Sequence, residues 1–473
     1  MSNMALEPTY ENLIHHYLED TIARNDDLFY FVRILSGLNS GSAVALNAAW
    51  GSGKTFFVKQ AKMLIDIHNP NSDIDTECLN QEEIASIKKV YAKYNSGAEE
   101  YDMPKMATVY YDAWKYDDTE DPLLSLLYCI MNRFGKSVPN DKADVIKKFA
   151  KQSISILSSA ARYVTGINVQ EILETIKNYA DACEDTVKEQ KTNESLEKRI
   201  NSFLNDVVLE DEEKLIVFVD ELDRCNPQYA VKLLERLKHY FNHPKVVFIV
   251  SYNKSELQHS IKTLYGSKFS ADKYLERFFD YEFGLSTIDV EKYMDILGNS
   301  NIIHLNMRAI AKLYSFQMRE VWKYNDCVNK AIAMLKKVIS NNIYSSERSL
   351  EFYITWFLPV VVGLRFYNET SYREFIDGNV FKHYKDFYDL QIKGHERNFG
   401  KLLSDGEQFD EICNGIILNG VSLEDRFRHL YTAMFGDSND SKQIQFGRIL
   451  INREIREEFR KICNGISYLA DYK

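Results

Sequence analysis

The sequence predicts an α/β fold, a doubly wound sheet with helical inserts, followed by an all-α C-terminal domain. Three observations carry this. Short apolar runs at 43–49, 107–111, 215–219 and 246–251 alternate with stretches of helical periodicity, the order that builds a parallel sheet covered on both faces. A glycine-rich turn joins the first run to a helix. Beyond about Thr287 the strand signal fades and helical spacing remains. The expected division is 1–287 for the sheet domain, with inserts at about 70–102 and 136–205, and 288–473 for a helical domain serving partner binding or oligomerisation.

From Tyr10 to Leu38 the apolar residues Leu13, Tyr17, Leu18, Ile22, Leu28, Phe31, Val32 and Leu35 recur at helical spacing. Residues 39–42 break the pattern; Ala43–Ala49 then reads as a strand and Gly53 to His68 as a helix. The first insert reads as loop, helix (Gln81–Tyr94) and loop. A strand at Ala107–Tyr111 and a helix at Pro122–Phe134 precede the second, mostly helical insert, with a charged helix near Val187–Phe203. Leu215–Val219 is apolar and bounded by charge on both sides, the pattern of a parallel strand buried on both faces. A helix at Tyr229–Phe241 and a strand at Val246–Ser251 complete the domain. Beyond it, helices are expected at Arg308–Glu320, Asn329–Ser340 and Leu350–Tyr367. The apolar stretch Phe352–Leu364, interrupted by Pro359 and Gly363, falls short of the ~20 residues that span hydrocarbon and reads as a buried, kinked helix. Glu407-x-Phe409-x-x-Ile412-Cys-Asn-Gly-Ile416 recurs as Glu457-x-Phe459-x-x-Ile462-Cys-Asn-Gly-Ile466, and each Asn-Gly is expected to close a helix with a left-handed cap.

Charge and cysteine content bound the function. Lys+Arg minus Asp+Glu is 58 − 69 = −11, so no global basic field favours DNA or anionic lipid. Seven scattered cysteines without a CxxC pair indicate reduced thiols rather than a disulfide framework or a zinc site. The N-terminus lacks a basic region followed by an apolar run, so no signal peptide, no membrane insertion and a cytoplasmic location are expected. His239 and His243 have i, i+4 spacing, but Pro244 ends the helix there and no acidic partner is evident. Phe381-Lys-His-Tyr-Lys-Asp-Phe-Tyr388, followed by Lys393, His395 and Arg397, interleaves bases and aromatics; Asp386 and Asp389 dilute it as a nucleic-acid stripe. The chain has 61 aromatic residues (30 Tyr, 27 Phe, 4 Trp), and those of the C-terminal half fall at helical spacing, where rings fill cores and build interfaces.

The chemistry concentrates at Ala48-Ala49-Trp50-Gly51-Ser52-Gly53-Lys54-Thr55, which fits the broad P-loop pattern with Ala48 in place of its first glycine. Strand before and helix after supply the required context. Gly51 and Gly53 let successive N–H groups of Ala49 to Thr55 face a phosphate at the helix N-terminus. Lys54 would reach the β- and γ-oxygens and the Thr55 hydroxyl would ligate Mg²⁺. The apolar strand 215–219 ends in Asp220-Glu221, delivering one carboxylate to hold Mg²⁺ and a second to act as general base. ATP is favoured over GTP. Asn253-Lys-Ser-Glu256 carries Glu where the guanine-reading motif has Asp, and Asp220 is followed by Glu-Leu-Asp, without the glycine of a GTPase switch. Asn253 reads either as a polar sensor of the γ-phosphate or as a strand-end loop residue.

Trp50-Gly-Ser-Gly-Lys-Thr55, Tyr111-Asp-Ala-Trp114-Lys-Tyr116 and Asp220-Glu-Leu-Asp-Arg224-Cys225 together resemble the KAP family of P-loop NTPases. Tyr274-Leu-Glu-Arg277-Phe-Phe and Leu305-Asn-Met-Arg308 resemble later tracts of that family, and the likeness covers roughly residues 10–330. Many members insert transmembrane helices between the two nucleotide motifs. Here Ile154–Val169 is too short and contains Arg162, so the likeness is to a soluble branch. The resemblance implies a P-loop NTPase sheet, ATP and Mg²⁺ as cofactors and ATP hydrolysis, with soluble prokaryotic members often linked to plasmid or antiphage defence. Arg277 and Arg308 become candidate stabilisers of γ-phosphoryl charge, as against surface ion pairs. Arg224 either orients Asp223 or reaches the nucleotide. The expected activity is an Mg-dependent ATPase whose nucleotide state controls a protein partner or effector, homo-oligomerisation being left open. The alternative is a nucleotide-gated interaction module with negligible turnover; a GTPase or a DNA-acting ATPase is less favoured.

Overall fold

The first helical stretch is two helices, α1 (Tyr10–Leu18) and α2 (Asn25–Gly37), because Asp20 and Ala23 between them adopt left-handed φ angles of 44° and 56°. The Asp20 carboxylate accepts the backbone N–H groups of Arg24 and Asn25, both at 3.1 Å, satisfying donors that a helix start leaves orphaned. These features come from a computed structural model, which describes residues 7–38, 41–70, 72, 79–97, 101–119, 121–135, 193–205, 213–298, 301–340, 347–392, 410–412, 415–418, 421–436, 444–446, 449–451 and 453–471. Most of the second expected insert, including Ile154–Val169, lies outside them. The chain divides into two compact units, Met1–Thr287 and Ile288–Lys473.

The first unit is built on a parallel sheet of β1 (Ser42–Asn47), β2 (Met106–Asp112), β3 (Lys214–Asp220), β4 (Val246–Tyr252) and β5 (Tyr281–Gly284), in the order β2-β3-β4-β1-β5. Leu215 to Val219 are each wholly buried, which is why β3 is an unbroken apolar run: one such side chain left in water would cost about 1.5–3 kcal/mol. The register pairs Asp112 with Asp220 and Asn47 with Tyr252, so four strands end at one edge. α3 (Lys54–His68) follows β1, α4 (Gln81–Ser96) is closed by an Asn80–Glu83 capping box, and α5 (Pro122–Gly135) follows β2. α6 (Asn193–Phe203) precedes β3, α7 (Pro227–Tyr240) links β3 to β4, and α8 (Lys254–Tyr265) and the short α9 (Ala271–Leu275) precede β5. β5 is a strand that periodicity misses. It is four residues long, half-exposed to exposed, and recognisable only through its pairing with β1.

The second unit is mainly helical but not all-α, which corrects the expectation. Short antiparallel strands pair at Asp410–Ile412, Gly415–Leu418 and Val421–Ser422, and again at Ile444–Phe446 with Ile449–Ile451. The expected helix Arg308–Glu320 is broken: Ile302–Leu313 ends before Ser315, whose φ is 54°, and Met318–Ser340 runs on through the segment expected as a separate helix. The Asn-Gly caps are also overturned. Gly415 begins a strand opposite Ile412, whereas Asn464-Gly465 lies inside the helix Arg453–Asp471. The apolar segment is a buried helix as expected, and a π-helical turn at Tyr353–Phe357 interrupts its regular pattern ahead of Pro359. Among the described residues, Ser349–Tyr367 is the one helix long and apolar enough to cross a membrane, and 72% of its apolar window is buried within the protein.

Candidate functional site

The P-loop is laid down by the edge that β1 shares with its neighbours. Ala48 N–H donates to the Tyr252 carbonyl at the end of β4 (3.3 Å), so the loop leaves the sheet in register with the neighbouring strand. Gly51 and Gly53 then take φ angles of 76° and 87°, the left-handed region where side chains are strained. Gly53 opens α3, and Lys54 and Thr55 are its first residues. The Lys54 ammonium donates to the Ala48 (2.8 Å) and Ala49 (3.2 Å) carbonyls. Burial lowers its pKa, and the charges of Asp223, Asp220 and Glu221 oppose that shift. Ser52 is buried, and its hydroxyl makes no hydrogen bond within the protein.

β3 delivers the acids to the same edge. Asp220 is 1% exposed; one carboxylate oxygen accepts Glu221 N–H (3.0 Å) and the other accepts the Tyr110 hydroxyl (3.0 Å). Glu221 turns the chain at φ 61° and is held at both oxygens. Oε1 accepts the Thr55 hydroxyl (3.2 Å) and Oε2 meets Arg224 Nε (2.6 Å). Burial raises the Glu221 pKa, Asp220 adds to the rise and Arg224 opposes it. Thr55, Asp220 and Glu221 are hard oxygen donors with adjoining negative charge, a set that suits a divalent cation of the Mg²⁺ type. Thr55 and Asp220 would hold it, and Lys54 with the loop N–H groups would hold phosphate.

Asn253 closes β4, the strand that stands between β1 and β3. Its side-chain oxygen accepts Ser255 N–H (3.2 Å) and the Ser255 hydroxyl (2.8 Å), capping α8, while its own N–H donates to Asp223 (2.9 Å). The strand-end reading therefore describes its oxygen. Asp223 also accepts the indole N–H of Trp50, so the motif after Glu221 anchors the P-loop tryptophan. Arg224 pairs with Glu221 rather than Asp223, a correction, and its guanidinium lies 5.3 Å over the Trp114 ring. Arg277 is not at this edge. It lines a cavity with Gly41, Ser42 and His243, where β1 and β4 begin, and its carbonyl accepts Lys238 Nζ. A role at the P-loop of its own chain is thereby corrected. Arg308 belongs to the second unit, where it pairs with Asp295 (3.4 Å) as a partly exposed ion pair, the alternative to a phosphoryl contact.

Two contributors went unread in the sequence. Tyr110, on β2, braces Asp220, with Lys59 of α3 5.0 Å from its ring. Arg24, at the start of α2, is buried and donates to the Ser52 carbonyl (2.6 Å). Neither lies in a motif, and no local spacing announces a contact between residues 110 positions apart.

Residues 30–352 match the KAP family P-loop domain. Over 160 residues the chain is 24% identical to an uncharacterized protein of Methanocaldococcus jannaschii, a stretch covering 28% of this chain and 82% of that protein. Among solved structures, the Aeropyrum pernix ORC2 protein in its ADPNP–ADP complexes aligns with a TM-score of 0.32 and 11% identity, over 94% of this chain and 95% of that one.

Proposed function

The chain belongs to the KAP family of P-loop domains, and from that premise we propose that it is an Mg-dependent ATPase whose nucleotide state controls a protein partner. The observation that carries the reading is the meeting of Lys54, Thr55, Asp220 and Glu221 at one sheet edge, with the Thr55 hydroxyl 3.2 Å from the Glu221 carboxylate. In this reading the P-loop N–H groups and Lys54 bind the phosphates of ATP and offset charge as the γ-phosphoryl group leaves. Thr55 and Asp220 would hold Mg²⁺, which would supply neutralisation of phosphate charge. Glu221 takes a proton from the attacking water, which requires its carboxylate to part from the Thr55 hydroxyl. Tyr110 keeps Asp220 oriented throughout. The second unit is the partner-facing part, and a protein effector in a defence against phage is the setting the family resemblance suggests.

The engagement of both Glu221 oxygens also favours a second reading, a nucleotide-gated interaction module with negligible turnover. Phosphate release by wild type, Lys54→Ala and Glu221→Gln decides between them. The ATPase reading expects turnover in wild type and a loss of at least ~100-fold in each variant. Equal release by all three would sink it. ATP binding without release, with ATP-dependent partner capture surviving in Glu221→Gln, would establish the second.

A further inference from the structure

Arg24 precedes the residues that match the family domain, yet it reaches the centre of the nucleotide site. The Asp20 cap fixes its backbone at the start of α2, and the side chain runs inward to an exposure of 6%. There the guanidinium divides between two carbonyls: one nitrogen donates to Ser52 in the P-loop (2.6 Å), the other to Ser286 (2.5 Å). Burial lowers its pKa only to about 10, so it remains a cation at neutral pH. Hydrogen bonds from a charged donor are roughly twice as strong as neutral ones.

The first contact bears on phosphate binding. In a trans peptide the C=O and the following N–H point in opposite directions. Pinning the Ser52 carbonyl on Arg24 therefore turns the Gly53 N–H to the opposite side of the peptide. Gly53 is the residue at φ 87° that opens α3, where backbone N–H groups face an anion.

The second contact bears on the segment after β5. Leu285 N–H donates to the Asn47 carbonyl (3.1 Å), extending the β1–β5 pairing, and the Ser286 hydroxyl donates to Asp27 of α2. Ser286 stands two residues before Ile288, where the second unit begins. The chain leaving the first unit is thus held by the same side chain that holds the P-loop, although Ser52 and Ser286 are far apart in sequence.

We infer that Arg24 is a positioning residue that presets the P-loop for phosphate and couples its occupancy to the exit segment 285–288. The inference rests on the reading of the P-loop as a nucleotide site. Phosphate held by the Gly53 N–H keeps that peptide in the orientation in which the Ser52 carbonyl already meets Arg24, and the guanidinium so fixed holds Ser286 more firmly. By linkage, fixing Ser286 favours the binding-competent loop to the same degree.

The test compares full-length wild type, Arg24→Gln and Arg24→Lys. One measurement is binding of a fluorescent ATP analogue without Mg²⁺, which isolates the phosphate contacts; the other is amide exchange over 285–288 with and without nucleotide. Wild type should show slower exchange at 285–288 when nucleotide binds. Arg24→Gln should weaken binding by about tenfold or more and lose that response. Arg24→Lys, which keeps the buried charge and guards against simple unfolding, can hold one carbonyl but not both. It should retain more affinity than the glutamine variant while losing the exchange response. Nucleotide binding in wild type with identical exchange at 285–288 would overturn the inference alone. Unchanged affinity in both variants would do the same. A wild type that binds no nucleotide would instead overturn the nucleotide reading on which it stands.

Discussion

At Glu221 a strained backbone and a crowded carboxylate meet in one residue. A non-glycine side chain at φ 61° costs of the order of 1–3 kcal/mol, and such positions persist where surrounding contacts hold them. Here the contacts are Thr55 on one oxygen and Arg224 on the other. The pKa shift gives a signed expectation for activity. A general base works only when ionised, so turnover falls as pH is lowered through its pKa. Burial and Asp220 raise that pKa, so in the ATPase reading the acidic limb of kcat/KM, which reports groups of the free enzyme, should lie above the ordinary glutamate range. Arg224 works in the opposite direction, so Arg224→Ala should move the limb to still higher pH. A pH–rate profile checks this, and a limb that stays put in Arg224→Ala would mean that another group sets it. Lys54, Thr55, Asp220 and Glu221 could be read from sequence because each sits inside a contiguous pattern whose geometry is local. Asn253, Arg224 and Arg277 could not be assigned that way. Asn253 spends its oxygen on a helix cap, Arg224 finds a carboxylate one turn back, and Arg277 is carried to the opposite edge of the sheet.

The π-helical turn before Pro359 shows how an element depends on a partner elsewhere in the chain. Proline has no N–H to give the carbonyl four residues earlier, so the Thr355 carbonyl loses its helical partner. The Asn306 side chain, itself fully buried, donates to that carbonyl at 2.7 Å, and the Tyr324 hydroxyl donates to the Pro359 carbonyl at 2.9 Å. Asn306→Leu removes the donor and should destabilise the second unit by about 1–3 kcal/mol, the cost of an unsatisfied buried group. Thermal melting measures it; a loss below ~0.5 kcal/mol would show that the carbonyl finds another donor. Periodicity could identify this helix, but not the asparagine that completes it. The repeated Ile-Cys-Asn-Gly-Ile segment marks the limit more sharply. One copy leads into a hairpin strand at Gly415 and the other lies within the helix Arg453–Asp471. Five identical residues, Ile412–Ile416 and Ile462–Ile466, cannot specify both, so neighbours in space decide, and a local cap rule fails.

At the scale of the molecule, many aromatic side chains among the described residues fill cores. Tyr384, wholly buried, lies 4.2 Å from Phe427 and 4.7 Å from Phe357 between ring centroids, with Phe375, Phe387 and Tyr431 around it. The aromatic run at 381–388 therefore contributes rings to a core, and its Lys385 pairs with Glu424 at 2.7 Å. Because the P-loop belongs to the first of the two compact units, ligand should act unequally on melting. Calorimetry should resolve two transitions, with Mg²⁺ and ATP stabilising only that of the first unit, by about 2.7 kcal/mol at a hundred times Kd. Lys54→Ala should abolish the shift. A single transition moving as a whole would show that the units unfold together. The sequence by itself determined the class of sheet, the phosphate loop and the acids of β3. Those features rest on local periods, turns and strand ends, which neighbouring residues encode. Only the tertiary structure decided the strand order, the fifth strand, the short sheets of the second unit, and the placement of Arg24, Tyr110, Asn253 and Arg277. The strand order, the fifth strand and the contacts of Arg24 and Tyr110 depend on residues distant along the chain, which leave no period to read, whereas the short hairpins and the Asn253 cap are local but too brief to show one.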